Sequence, residues 1–161
     1  MVLVLIACLA TVGCDFTVPL STTPGPEIDK SLVGLWVRGQ STNQVERLLI
    51  LPFDMHSYMI AFPAHKSDGL FAKATPCLCS GKTLVQLQWI GTAGGRLPDD
   101  DRIYQIVSYA LAGDALSIRL VNTAVIDKGI TSSAELARAI AENIGRADLF
   151  DEPLVFKRAE Q

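Results

Sequence analysis

The sequence TLVQLQWI, residues 83–90, alternates apolar and polar side chains with a period of two. Val85, Leu87 and Trp89 point to one face of an extended chain and the glutamines between them to the other, because successive side chains of a strand lie on opposite faces. This pattern is typical of a strand with one buried face and one solvated face. It predicts an antiparallel sheet that packs its apolar face against a core.

Seven further runs with strand character accompany this stretch, and turn residues separate several of them. Pro52, the Ser80-Gly81 pair and the Gly113-Asp114 pair are typical of the turns that join antiparallel strands. The predicted strands are residues 34–38, 45–51, 57–62, 70–74, 83–90, 103–111, 115–121 and 154–158.

The hydrophobic period changes before the last strand. Ser132 is followed three residues later by Glu135, which is a capping box. Leu136, Ile140 and Ile144 then repeat every four residues. This stretch predicts an amphipathic helix placed before the last strand.

The order of elements predicts a mainly β protein with one helix. Short strands joined by hairpin turns give an antiparallel meander of about eight strands, the number at which a small barrel closes around side chains or one small ligand. A strongly curved sheet is the alternative. An exposed apolar sheet face or edge must be covered, so the helix either plugs one mouth of the barrel or lies against its wall.

The composition excludes several classes of protein. The chain has 161 residues, of which 49% are hydrophobic and 19% charged, and its net charge is −3. This length favours one domain, and the apolar content is too high for a disordered protein. Because the chain contains no basic run or stripe, we expect no nucleic-acid partner.

The first fourteen residues, MVLVLIACLATVGC, are uncharged and almost wholly apolar. They resemble the signal peptide of bacterial lipoproteins, in which Gly or Ala precedes the cysteine that receives the lipid. Cys14 follows Gly13 and has a full apolar core before it, whereas Cys8 matches the motif but has too short a core. We therefore assign the lipid to Cys14. The usual basic start is missing, since the first Lys or Arg is Lys30, and the stretch is too short for a spanning helix.

This resemblance implies a cellular location for the protein and a division of the chain into segments. Cys14 would carry a diacylglycerol anchor and palmitate, and the protein would be exported and anchored in the cell membrane or outer membrane, facing the periplasm or the exterior. We expect a signal peptide (1–13), the lipidated cysteine with a flexible linker (14–30), and one β-rich domain (31–161). The linker is predicted because this stretch is rich in Pro, Ser and Thr and lacks periodicity.

A second resemblance lies in Gly34-Leu35-Trp36. Lipocalin-like barrels begin with Gly-x-Trp in their first strand, and the Trp closes the barrel floor. The meander and the late helix also look similar, although lipocalins usually place their helix after the last barrel strand. The resemblance implies a binding domain without a cofactor. Because several aromatic residues lie on alternating strand positions, we predict that Tyr58, Trp89 and Tyr104 line an apolar ligand site.

Cys77 and Cys79 are the two cysteines that remain beyond Cys14. Residues two apart in a strand share a face, so the two sulfurs form a local disulfide, stay free, or contribute to a metal or redox site. An oxidising exported location favours the disulfide. His56 and His65 do not stand at ligand spacing from this pair, so we predict no metal site.

No catalytic motif accompanies these features. The triplet Asp99-Asp100-Asp101 lacks the alternating ligands of a calcium loop and predicts a solvated turn. A nucleophile elbow and a phosphate-binding glycine loop are both missing from the sequence. The leading hypothesis is a non-catalytic, membrane-anchored envelope lipoprotein that binds a small apolar ligand. The alternatives are an accessory that docks another envelope protein, and a thiol redox or metal protein that uses Cys77 and Cys79.

Overall fold

A computed structural model describes residues 15–39, 45–64, 69–95 and 102–160. Eight antiparallel strands follow one another in chain order and close into a barrel, with one α-helix between the last two strands. The strands are β1 (Gly34–Arg38), β2 (Glu46–Asp54), β3 (Ser57–Phe62), β4 (Leu70–Cys79), β5 (Lys82–Thr92), β6 (Tyr104–Ala112), β7 (Ala115–Leu120) and β8 (Leu154–Arg158), the helix is α1 (Ser133–Asn143), and a 3-10 helix spans Lys30–Leu32. The predicted meander is confirmed, and the sheet is a closed barrel.

The alternation in β5 has the predicted consequence. Val85 and Trp89 are buried and belong to the core cluster inside the barrel, with Leu87 packed against it. Leu84 precedes Val85, so its side chain lies on the opposite face of the strand. It is 1% exposed and belongs to a second core on the outer side of the wall. The strand therefore contributes to two cores, one on each face, and part of its outer face is covered.

The turns set the two ends of the barrel. Ser80 and Gly81 have positive φ angles of 48° and 76°, and Gly113 has a φ of 58°, so these residues form tight hairpin turns. We call the end with the β2–β3, β4–β5 and β6–β7 hairpins the lower end, and the opposite end the upper end. β4 continues through Pro76, paired with Val85, to Cys79, whereas the sequence predicts an end at residue 74.

The lower end is closed by an interaction between the first and last strands. Trp36 is fully buried, and its indole Nε1 donates to the carbonyl of Leu32 in the 3-10 helix at 2.8 Å. The Arg158 guanidinium lies 4.2 Å from the centroid of the Trp36 ring. The same guanidinium donates to the carbonyl of Val33 at 3.1 Å and to that of Ser31. One cation thus joins β8, the indole of β1 and the end of the 3-10 helix.

Gly34 has a specific role in this closure. Its φ is +140°, a conformation that L side chains rarely adopt, and a Cβ added there would lie 3.0 Å from Nη1 of Arg158. The backbone conformation therefore favours glycine in Gly34-Leu35-Trp36, and a side chain there would also press on the guanidinium of Arg158.

The helix lies against the outer wall of the barrel, which decides between the two predicted positions. The capping box is confirmed, since Ser132 Oγ accepts from the Glu135 amide at 3.2 Å. Leu136 and Ile140 are fully buried, and they pack in the second core with outward side chains of the barrel wall, among them Leu84.

Residues 15–30 differ from the expected flexible linker. Phe16 is fully buried in the second core. Its amide donates to the carbonyl of Tyr104 at 3.0 Å, and the Tyr104 amide donates back to the carbonyl of Phe16 at 3.1 Å. Further along, the Ser21 amide donates to Gln86 Oε1 at 3.1 Å. The segment therefore runs across the outer face of the barrel and belongs to the folded domain.

The same segment then reaches the lower end. A Cβ at Gly25 would lie 1.7 Å from the carbonyl oxygen of Pro76, so only glycine permits this contact with β4. The Ile28 amide donates to the carbonyl of Met55 at 3.0 Å, at the β2–β3 hairpin. These contacts are non-local, and a segment without periodicity gives no sign of them in the sequence.

Several sequence features lie outside the described residues. These are the predicted signal peptide with Cys8, the predicted lipidation site Cys14, His65, and the Asp99-Asp100-Asp101 triplet. Among the residues that the structure does describe, no helix combines the length and the apolar run needed to cross a bilayer.

We predict that Gly34→Ala lowers the free energy of unfolding by about 1–3 kcal/mol, because alanine at this φ is strained and its methyl group displaces Arg158. Urea denaturation followed by circular dichroism measures the change. Gly145→Ala is the matched control, since a Cβ there meets nothing within 4 Å. Equal stability of the two variants would show that Gly34 is not needed for closure.

Candidate functional site

The interior of the barrel contains two adjoining cavities. They have volumes of about 80 Å³ and 90 Å³ and share five lining residues. The shared residues are Leu48, Ile60, Leu87, Val107 and Ile118. The first cavity extends toward the lower end, where Leu32 lines it, and the second extends toward the upper end, where Leu154 lines it. We call the two together the lumen.

The predicted lining residues do not all lie in the lumen. Tyr58 lines the lower cavity and Trp89 lines the upper one. Tyr104 does not line either, so this prediction is wrong. Its backbone pairs with Phe16, and its side chain packs with the second core outside the barrel. Tyr109 lies five positions after Tyr104 on the same strand, so the two side chains point to opposite faces. Tyr109 faces inward and lines the lower cavity.

Two tyrosines, Tyr58 and Tyr109, line the lower cavity, and the surface they present to it is apolar. The hydroxyl of Tyr58 donates to the carbonyl of Asp29 at 3.1 Å and accepts from the Asp29 amide at 2.7 Å. Burial raises the pKa of Tyr58 to about 12, and burial together with the negative charge of Asp29 raises the pKa of Tyr109. Both phenols are therefore neutral at ordinary pH, and the lower cavity contains no charged tyrosine.

The upper cavity is bounded by aromatic side chains and one amide. Trp89 Nε1 donates to Gln105 Oε1 at 3.2 Å, and Gln105 is 2% exposed. Phe62 and Phe156 meet edge to face with their centroids 6.0 Å apart. The Arg38 guanidinium lies 5.4 Å from the Phe156 centroid, outside the lining of the cavity. The indole and the amide satisfy each other, so the wall of the upper cavity is nearly apolar.

The lining determines what the lumen can do chemically. Its side chains are aliphatic and aromatic, apart from the two tyrosine hydroxyls, the indole N–H and the Gln105 amide. An apolar molecule in this space would lose its contact with water and gain close packing, which is the main source of affinity in small-molecule sites. No charged or nucleophilic side chain lines the lumen among the described residues. The described lining therefore suits an apolar molecule.

Cys77 and Cys79 lie outside the lumen and beneath α1. Both are free and buried, so the predicted disulfide is wrong. Two residues of an extended strand rise about 6.6 Å, near the upper limit of the Cα separation that a disulfide spans. The sulfur of Cys77 instead contacts the carbonyl of Thr75 at 3.4 Å, and that of Cys79 contacts the carbonyl of Ala137 in α1 at 3.7 Å.

The chemistry of these thiols is unsuited to redox work. Burial raises the pKa of Cys77 to about 11 and also raises the pKa of Cys79. The reactive species of a cysteine is the thiolate, which is scarce at such a pKa. The described residues contain no cluster of three or more His, Cys, Asp or Glu side chains that could hold a metal ion. The two cysteine side chains therefore pack between the barrel wall and α1.

A wider groove of about 650 Å³ lies on the outer wall, between the N-terminal segment and strands β2 to β6, and Tyr104 is one of its lining residues. Asp54, His56, Ser57 and Lys73 line it, which brings serine, histidine and aspartate into one place. They do not form a catalytic relay, since His56 Nδ1 has no hydrogen-bond partner. The Asp54 carboxylate instead accepts from the His56 backbone amide at 2.7 Å.

Comparison with known proteins identifies no relative of this chain. No protein-family model matches the sequence, and neither the curated proteins nor the solved structures include a similar one. The candidate site therefore rests on the geometry of the lumen alone.

We predict that Cys77 and Cys79 react with an aromatic disulfide reagent only after the protein unfolds, because both thiols are buried and protonated. The measurement uses a variant with serine at positions 8 and 14, without reductant. It should release no chromophore from the native protein and two equivalents in denaturant. Absence of reaction in denaturant until a reductant is added would reveal a disulfide and contradict the structure.

Proposed function

We propose that this protein is a membrane-anchored bacterial envelope lipoprotein whose barrel binds a small apolar ligand and catalyses no reaction. The observation that carries the binding proposal is the lumen, two adjoining apolar cavities inside a closed barrel. The anchoring proposal rests on the apolar stretch 1–14 and its resemblance to lipoprotein signals. The membrane is therefore one partner, and the ligand in the lumen is the other.

The volume of the lumen limits the ligand. Pockets for drug-sized molecules have volumes of about 300–1,000 Å³, and an engineered apolar cavity of about 150 Å³ holds one benzene ring. Neither cavity, at 80 Å³ and 90 Å³, reaches that volume alone, but the two together match one ring or one unbranched alkyl chain. A fused polycyclic ligand would require the barrel to expand, which close-packed interiors resist.

The polar groups beside the lumen also limit the ligand. The hydroxyl of Tyr58 is already engaged with the Asp29 backbone, so the lower end offers little to a polar group. At the upper end the Gln105 amide is buried and accepts from the Trp89 indole. A wholly apolar ligand, or an apolar tail, fits this arrangement.

A second candidate function has its own observation. Leu51, Phe53 and Met55, at the end of β2 and in the following turn, are 44%, 58% and 64% exposed. Adjacent exposed apolar side chains of this kind often mark a contact with another protein. This surface supports the alternative that the protein is an accessory that docks an envelope partner. If that is its role, Phe53→Ser would impair function while variants that fill the lumen would not.

We predict that Leu87→Trp weakens binding of toluene and of n-decanol at least tenfold, because Leu87 lines both cavities and the indole fills them. Isothermal titration calorimetry measures the affinities, and a tenfold loss corresponds to about 1.4 kcal/mol. Ile90→Trp is the control on the outer face of the same strand, where Ile90 is 50% exposed. Thermal unfolding verifies that both variants fold. Unchanged affinity in a folded Leu87→Trp variant, or no binding to the parent protein, would contradict the proposal.

We predict that the protein purified from its membrane fraction begins at Cys14 and carries added acyl mass. Cys14→Ala should abolish both the acyl mass and the membrane attachment, because no other cysteine occupies the predicted cleavage site. Intact-mass spectrometry measures these changes. Cys8→Ala is the matched control and should leave the mature mass unchanged, since residue 8 is removed with the signal. An unprocessed chain would contradict the proposed lipidation and membrane location.

A further inference from the structure

The groove on the outer wall has a floor that the register of three strands brings together. Gln88 of β5 pairs with Lys73 of β4 on one side and with Tyr104 of β6 on the other, and all three line the groove. Residues directly opposite each other on neighbouring strands share a face. This is the outer face, because Leu87 and Trp89 line the lumen. The row is about 10 Å wide, since neighbouring strands lie about 4.8 Å apart.

The N-terminal segment forms the other side of the groove. Ser21, Thr22, Thr23 and two prolines line it there. The Ser21 amide donates to Oε1 of Gln86, a side chain of β5 that is only 8% exposed. This bond ties the segment to the sheet, so both sides of the groove are in place before any ligand binds, which lowers the cost of ordering on binding.

The floor of the groove contains polar groups that the protein does not use itself. Within the described part of the chain, the side-chain amide of Gln88 and the hydroxyls of Thr75 and Tyr104 have no hydrogen-bond partner. Nδ1 of His56, which also lines the groove, is buried and lacks a partner as well. A buried polar atom without a partner is unfavourable, and amides and hydroxyls both donate and accept hydrogen bonds. These groups suit a ligand that is itself rich in donors and acceptors.

The charges and strands of the groove disfavour two other kinds of ligand. Lys73 and Asp54 are the two charged side chains among the described lining residues, and they pair with each other at 3.9 Å. Phosphate groups and nucleic acids are bound by clusters of Arg and Lys, whereas this lining has a single lysine. A peptide that adds as a strand requires a free sheet edge, and β4, β5 and β6 are each paired on both sides.

We infer that this groove binds a short neutral oligosaccharide. Sugar hydroxyls donate and accept hydrogen bonds, as the amide and hydroxyl groups of the floor do. The C–H face of a sugar ring packs on flat apolar surfaces, and the rings of Tyr104, Pro19 and Pro24 line the groove. The ring of Tyr104 is held in position, since its backbone bonds to Phe16 in both directions and the ring packs against the second core.

The volume and the location agree with such a site. A groove of about 650 Å³ lies within the range of about 300–1,000 Å³ that is typical of small-molecule sites. It lies on the outer face of the wall, whereas the lumen lies inside the barrel. The inference therefore depends neither on the apolar ligand proposed for the lumen nor on the lipid anchor.

Nuclear magnetic resonance titration with maltotriose, cellotriose and tri-N-acetylchitotriose tests this inference. The nitrogen-15-labelled full chain is purified in a zwitterionic detergent, because sugar-based detergents would compete for the groove. We expect at least one of the three sugars to bind in the millimolar range. It should shift the side-chain amide resonances of Gln88 and the backbone amide of Tyr104, and leave those of the lumen residues Ile60 and Val107 unchanged. Binding of none of the sugars, or shifts confined to the lumen, overturns the inference.

Three variants test the role of the floor. Thr75→Val removes a hydroxyl from the groove, and Thr83→Val is the matched control at an exposed position of β5 outside it. We expect Thr75→Val and Gln88→Met each to weaken sugar binding at least threefold and Thr83→Val to leave it unchanged. Thermal unfolding verifies that the variants fold, and Gln88→Met decides the result if Thr75→Val does not. Equal affinities of Gln88→Met and the parent protein overturn the inference.

Salt distinguishes a neutral ligand from a charged one. We expect the affinity for the sugar to stay unchanged at high salt, because the lysine and the aspartate of the groove neutralise each other and exposed charges are screened. Loss of binding at high salt would show that charge carries the recognition and would also overturn the inference.

Discussion

The contact between Arg158 and Trp36 is the constraint on which the closed barrel depends. A guanidinium over an indole contributes about 0.5–2 kcal/mol, and here it also satisfies carbonyls at the end of the 3-10 helix. Because Arg158 ends the last strand and Trp36 lies in the first, the contact forms only when the chain has closed on itself. It thereby couples closure of the sheet to closure of the lower end, and it favours glycine at position 34.

The 3-10 helix and its N-cap Asp29 border the lumen at the lower end. Asp29 bonds the hydroxyl of Tyr58, Leu32 accepts from the Trp36 indole, and the Leu32 side chain forms part of the wall of the lower cavity. The outer groove is larger, yet Nδ1 of its histidine has no hydrogen-bond partner, so its serine, histidine and aspartate form no catalytic relay. Enclosure and apolar lining, more than volume, favour the lumen as the functional site.

Local patterns in the sequence predict most of the barrel, because strands, tight turns and the helix cap are decided within a few residues. The alternation in β5, the turn at Gly113 and the cap at Ser132 are examples. The sequence pattern favours Tyr104 as a lumen residue, but Tyr109 is the inward one, since which face of a strand is buried depends on the strands paired with it. Phe16 and Cys79 are buried by elements far away in the chain, and no local period reveals such contacts.

The seam between β1 and β8 is short, and this has a consequence for assembly. Two residue pairs, Trp36 with Arg158 and Val37 with Lys157, and one bond from the Ala159 amide to the Leu35 carbonyl join these strands, whereas ten pairs join β4 and β5. A seam with few ladder bonds is the place where the barrel opens most easily, and an opened barrel has two free edges. The long connection through α1 gives β8 the reach to pair with β1 of a second chain. Exchange of the last strand between two copies is therefore the route by which this fold would form a domain-swapped dimer.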